Sequence, residues 1–144
     1  MNYFFDTPSL VKIYHIEEGS EKVLEIYKSK HVIDISDLSK IELTSTVYRK
    51  YRGKEINLET LNAIKHKFQY DIENRYKILR YSSLISDEAL TLIRDFAKER
   101  SLRTLDSLQF AFFKIYCEKD DIFVCSDKKF INIVKLEGIN TLFP

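Results

Sequence analysis

Five short apolar runs dominate the chain: NYFF at 2–5, VIDI at 32–35, the stretch from Tyr76 to Tyr81, IFVC at 122–125 and NTLF at 140–143. Each is long enough for a buried strand and too short for a helix, and the segments between them carry apolar residues every three or four positions. Strands separated by helices in this order pair in parallel through right-handed crossovers, which places helices on both faces of one sheet. The expected class is therefore a three-layer α/β/α domain with a mostly parallel sheet over residues 1–144. Ligands in such folds sit beyond the carboxyl ends of the strands, near a switch in strand order.

Local signals set the helix boundaries. Thr7-Pro8 predicts a helix start, with Thr as cap and Pro at the first helical position. Gly19-Ser20 restarts the helical pattern up to about Ser29. Leu38, Ile41, Ser45 and Tyr48 predict a helix ending near Gly53, and Asn57 caps another through Ile72. Ser86 is the expected cap of a helix through Ala97, Thr104 that of a very apolar helix reaching Cys117, and a last helix spans about Lys128 to Leu136.

Several chemistries have no support. Three glycines, Gly19, Gly53 and Gly138, are too scattered for a dinucleotide loop or a P-loop. His15, His31 and His66 are isolated, and no CxxC or HExxH pair offers a zinc site. The longest apolar runs, such as Phe110 to Phe113, have four residues, far below the roughly 20 that span a bilayer. Cys117 and Cys125 lie in apolar company, so the expectation is reduced thiols in a soluble, cytoplasmic protein.

Carboxylates remain. Asp6 directly follows YFF, and Asp127 follows IFVC and Ser126, so both fall at strand ends; each also suits an N-cap. Asp106 lies one turn into the apolar segment LRTLDSLQFAFF, where an ionised acid is costly unless paired. Glu42, in LSKIELTSTVY, borders the apolar stripe of its helix. If these four acids converge, their repulsion demands a cation, and oxygen donors without His or Cys point to Mg²⁺ or Mn²⁺. Such ions serve phosphodiester hydrolysis.

The net charge of +1 is uneven: residues 49–81 hold nine Lys/Arg against four Asp/Glu, leaving 14 against 18 elsewhere. Such a stretch suits a solvated helical face or a nucleic-acid footprint; on the second reading Arg49, Lys50 and Arg52, close to Glu42, are candidate phosphate-backbone contacts, and Lys12 ranks below them.

The segments YFFDTPSLVKIYHIEEGS, LSKIELTSTVYRKYRGKEI, LRTLDSLQFAFF and FVCSDKKFINIVKLEGINTLFP resemble, in order and spacing, the successive motifs of PIN-domain proteins, specifically the VapC-type toxins of toxin–antitoxin pairs. The resemblance implies a PIN-like fold and an endoribonuclease whose Mg²⁺ or Mn²⁺ is held by Asp6, Glu42, Asp106 and Asp127. It also implies a homodimer and a small antitoxin (VapB-like) whose tail covers the active site. The family usually places a small hydroxyl residue two positions after the first Asp, where this chain has Pro8; Thr7 and Ser126 remain as hydroxyls beside the site. Two other readings compete: a PIN-like RNA-processing nuclease without an antitoxin, and an inactive PIN-like binding module.

Overall fold

The computed structural model describes residues 1–144. Five strands, β1 (Tyr3–Phe5), β2 (Ile33–Ser36), β3 (Tyr76–Leu79), β4 (Ile122–Val124) and β5 (Asn140–Leu142), form one parallel sheet of order β3-β2-β1-β4-β5. Seven helices alternate with them: α1 (Thr7–Tyr14), α2 (Ser20–Lys28), α3 (Leu38–Arg52), α4 (Leu58–Asn74), α5 (Ser83–Phe96), α6 (Thr104–Tyr116) and α7 (Lys128–Leu136). The three-layer architecture expected from the alternation is the one observed.

Period-two alternation along each strand divides the core between the two faces. Phe5, Ile33, Ile35 and Val124 pack with buried residues of α1–α4, whereas Phe4, Phe123 and Cys125 pack with α5, α6 and α7. Aromatic contacts fill the second face: Phe123 lies 5.1 Å from Phe4 in a tilted pair and 5.5 Å from Phe130 in an edge-on one, centroid to centroid. No helix is long and apolar enough to cross a membrane.

The chain runs outward from β1 to β2 and β3, then returns to place β4 on the other side of β1. That reversal makes the carboxyl ends of β1 and β4 neighbours at the switch point, the place such sheets reserve for ligands. Phe4 is registered with Phe123 and Phe5 with Val124, so Asp6 and the Ser126-Asp127 pair emerge side by side.

Four local expectations are corrected. Asp6, not Thr7, caps α1 by accepting from the Ser9 amide at 2.8 Å, leaving Thr7 and Pro8 inside the first turn. Ser86 lies within α5, which begins at Ser83, and Thr104 is the first residue of α6 rather than its cap. In α3 the buried stripe is Ser39, Leu43 and Val47; Ile41 and Tyr48 face outward, because the face turned to the sheet is offset by one position from the most apolar line of the sequence.

Candidate active site

Asp6, Glu42, Asp106 and Asp127 line one cavity of about 400 Å³ at the switch point, together with Thr7, Arg103 and Gln109. Four separate elements supply the acids: the ends of β1 and β4, the second turn of α3 and the first turn of α6. Residues 121 positions apart thus meet because parallel strands place their carboxyl ends on one edge.

Asp6 is buried and immobilised. Its Oδ1 accepts from the Ser9 amide at 2.8 Å and its Oδ2 from the Ser126 amide at 3.2 Å. Burial nevertheless raises its pKa, more than these hydrogen bonds lower it. Asp127 is the N-cap of α7 through a 2.9 Å bond from the Phe130 amide to Oδ1. For both residues the capping role and the cavity position coincide, since one oxygen of a carboxylate can cap while lone pairs remain for another partner.

Glu42 is held by Gln109, whose Nε2 donates to Oε1 at 2.8 Å. The same Nε2 lies 3.2 Å from Ser39 Oγ and 3.3 Å from Thr7 Oγ1, and Thr7 donates to Ser39 Oγ at 3.2 Å. Burial raises the Glu42 pKa, opposed by Gln109 and Thr7 and reinforced by the charges of Asp6 and Asp106. Burial also raises Asp106, against the lowering effect of Arg103. The Arg103 guanidinium bridges Asp106 (Nε to Oδ2, 3.3 Å) and Asp127 (Nη2 to Oδ2, 3.6 Å) from an exposed position.

The remaining hydroxyls lie beside the acids. Thr7 lines the cavity, while Ser126 binds Asp6 through its amide and the Ser9 hydroxyl through its own Oγ at 2.7 Å. Pro8 occupies the cavity rim in the first turn of α1. Arg49 and Lys50 line an adjoining hollow that shares Glu42 and Arg103 with the acid cavity. Arg52 lines a separate hollow near Glu55 and Asn57, and Lys12 is tied to Glu17 at 3.3 Å. On the other side, Lys128 and Lys129 line a third hollow with Asp106 and Asp127.

Gln109, Arg103, Lys128 and Lys129 join the site without being among the acids and basic residues that the sequence singles out. Gln109 carried a signal, being the one amide in a buried apolar helix face, and Arg103 stands one turn before Asp106, a spacing that pairs opposite charges on a helix.

No family model matches this chain, and no curated protein matches its sequence. Solved structures do. FitAcB from Neisseria gonorrhoeae superposes with a TM-score of 0.73 at 15% identity, covering 99% of this chain and 96% of that one. VapC20 from Mycobacterium tuberculosis, a sarcin-ricin loop cleaving toxin, gives 0.72 at 14%, covering 99% and 100%. VapBC2 from Rickettsia felis, bound to a DNA fragment from its promoter, gives 0.69 at 16%, covering 99% and 98%. What is shared at this identity is the architecture: the chain adopts the PIN-like fold of the VapC-type toxins.

Proposed function

We propose that the protein is a metal-dependent endoribonuclease and the toxin of a toxin–antitoxin pair, hydrolysing phosphodiester bonds in cellular RNA. The observation that carries this reading is the convergence of four carboxylates in one cavity, three of them with pKa values raised by burial, with a single exposed guanidinium as counter-charge. That donor set fits a hard divalent cation, Mg²⁺ or Mn²⁺, with Asp6, Glu42, Asp106 and Asp127 as its ligands. When bound, the ion supplies charge stabilisation at the phosphoryl group and lowers the pKa of water.

The chain's own residues do the positioning. Asp6 is fixed by two backbone amides, and Gln109 aims Glu42 into the cavity. Asp127, with Oδ1 engaged in capping, faces Arg103 Nη2 at 3.6 Å through Oδ2 and orients the attacking water through that oxygen once the guanidinium turns to the phosphate. Arg103 meets the scissile phosphate, while Arg49 and Lys50 on one side and Lys128 and Lys129 on the other hold the flanking backbone.

The partners follow the same reading. The solved relatives include VapBC assemblies on DNA, which supports a VapB-like antitoxin here. A homodimer is supported by outward apolar side chains on α3, Ile41, Tyr48 and Tyr51. An inactive module is disfavoured, because all four acids and their hydrogen-bond supports are present.

The test is induced expression followed by sequencing of new RNA 5′ ends, comparing the intact protein with Asp6→Asn. Cleavage sites unique to the intact protein are expected. Identical 5′ ends in both would sink the nuclease reading.

A further inference from the structure

A second group of metal-type donors lies at the opposite, amino-terminal edge of the sheet. Asp34 occupies the middle of β2, in register with Phe4, on a sheet face otherwise filled by Phe4, Phe123 and Cys125. A carboxylate oxygen of Asp34, one of Asp121 and the Cys117 Sγ all lie within 4.8 Å of one another.

Asp34 is only 1% exposed, and its Oδ1 accepts no hydrogen bond. Its nearest cation is Lys77 Nζ at 3.7 Å, beyond hydrogen-bond range and on a largely exposed side chain. Asp121 is preset by the chain around it, accepting from the Asn2 amide at 2.7 Å through Oδ1 and from the Glu118 amide at 2.8 Å through Oδ2. Each of those oxygens keeps a lone pair. Cys117 caps the carboxyl end of α6 and is half-buried. Burial, with the charges of Asp34 and Asp121, pushes the Cys117 thiol up, and Lys77 is the one cation that opposes it.

We propose that Asp34, Cys117 and Asp121 form a second metal site, which takes one Zn²⁺-class ion through a thiolate and two carboxylate oxygens, with water as the fourth ligand. The mixed sulfur and oxygen donors suit a borderline ion and disfavour Mg²⁺, which demands oxygen. Tetrahedral zinc bond lengths place such donors about 3.3–3.5 Å apart, so small side-chain rotations close the group around the ion. On binding, Cys117 releases its thiol proton to water, and the Lys77 ammonium turns to solvent.

The site is distinct from the acid cavity. Helix α6 joins the two, with Asp106 in its first turn and Cys117 at its end, about 16 Å away at 1.5 Å per residue. A bound ion ties the turn between α6 and β4 to β2 and so braces the helix that presents Asp106.

The purified full chain would be titrated with Co²⁺ under reducing, anaerobic conditions, reading the near-ultraviolet thiolate-to-cobalt charge-transfer band, which a purely carboxylate site does not produce. One equivalent of Co²⁺ is expected to develop the band, and Zn²⁺ to abolish it. The band should persist in Cys125→Ser and in Asp6→Asn/Asp106→Asn, vanish in Cys117→Ser, and need at least tenfold more Co²⁺ in Asp34→Asn, with circular dichroism confirming that each variant is folded. No band in the intact protein, a band surviving in Cys117→Ser, or its loss in Cys125→Ser overturns the proposal. The double variant separates this outcome from that of the acid cavity, whose failure to bind metal leaves the cobalt band untouched.

Discussion

Gln109 Nε2 donates to Glu42 Oε1 at 2.8 Å while Gln109 Oε1, equally buried, accepts no hydrogen bond. A buried carbonyl oxygen left unpaired costs about 1–3 kcal/mol, and it is set against the contacts of Nε2 with Glu42, Ser39 and Thr7. The orientation serves Glu42: turning the amide over would set a carbonyl against a carboxylate. Gln109→Leu removes both the donor and the orphaned acceptor. Stability is expected to change by no more than about 1 kcal/mol, whereas Mn²⁺ affinity and cleavage fall about 10–100-fold, as they do when a ligand loses its orienting partner. Calorimetry and a ribonuclease assay on one preparation check this; unchanged cleavage would show that Glu42 needs no help.

Asp106 should matter more to activity than to folding. Asp106→Asn keeps shape while removing one charge from a cluster strained by repulsion, so the metal-free protein is expected to be as stable or slightly more so. Cleavage should fall by orders of magnitude, because the ion that stabilises the transition state loses a ligand. An acid that merely complements the helix dipole would instead cost about 0.3–1 kcal/mol and leave cleavage intact. Melts in EDTA and cleavage in Mn²⁺ separate the two.

Much of this arrangement is legible in the chain, and the parts that are not share a cause. Strand-like runs and helical periodicity are local, so the alternation and its three-layer consequence read directly; so do the four acids, Asp6 and Asp127 at strand ends and Glu42 and Asp106 beside apolar helical residues. The side-by-side exit of β1 and β4 depends on strand order, which no local pattern encodes. Arg103 bridging Asp106 and Asp127, and Asp34 meeting Cys117 and Asp121, are products of that order. The buried stripe of α3 is illegible for a different reason: Ile41 is apolar but faces outward, so hydrophobicity alone does not tell the sheet-facing side from the outer one.

Stability should depend on pH in an unusual direction. Asp6, Glu42 and Asp106 all have pKa values raised in the folded state, so between the ordinary carboxylate range near about 4 and their raised values the folded chain binds more protons than the unfolded one. Stability contributed by these groups is present at low pH and is lost as pH rises through the raised values. Melts in EDTA should show this decline, which flattens in Asp6→Asn/Asp106→Asn. Saturating Mn²⁺ should restore stability at the high-pH end, since an ion bound only by the folded state favours it. A decline of equal depth in the double variant would place its origin elsewhere.

The outward apolar side chains of α3 bear on assembly. Ile41 is 70% exposed, too much for a buried packing role within one chain. Light scattering at tens of micromolar should give a dimer mass, and Ile41→Lys should shift it toward monomer without lowering the melting temperature of the monomer. A monomeric intact protein would count against the interface.

The two duties of Arg103, at the resting acids and at the substrate phosphate, pull in opposite directions. Its side chain is 73% exposed, and surface ion pairs of this kind contribute about 0–1 kcal/mol, so Arg103→Ala should barely move the melting temperature. In the free protein the guanidinium competes with a metal ion for Asp106 and Asp127, and its removal should tighten Mn²⁺ binding. During cleavage the same guanidinium turns to the phosphate, and its removal should slow the reaction about tenfold or more even at saturating Mn²⁺. Tighter metal binding with slower cleavage is the pattern expected of a residue that guards the acids at rest and serves the substrate in turnover. Slower cleavage with weaker metal binding would mean instead that Arg103 only orders the two carboxylates.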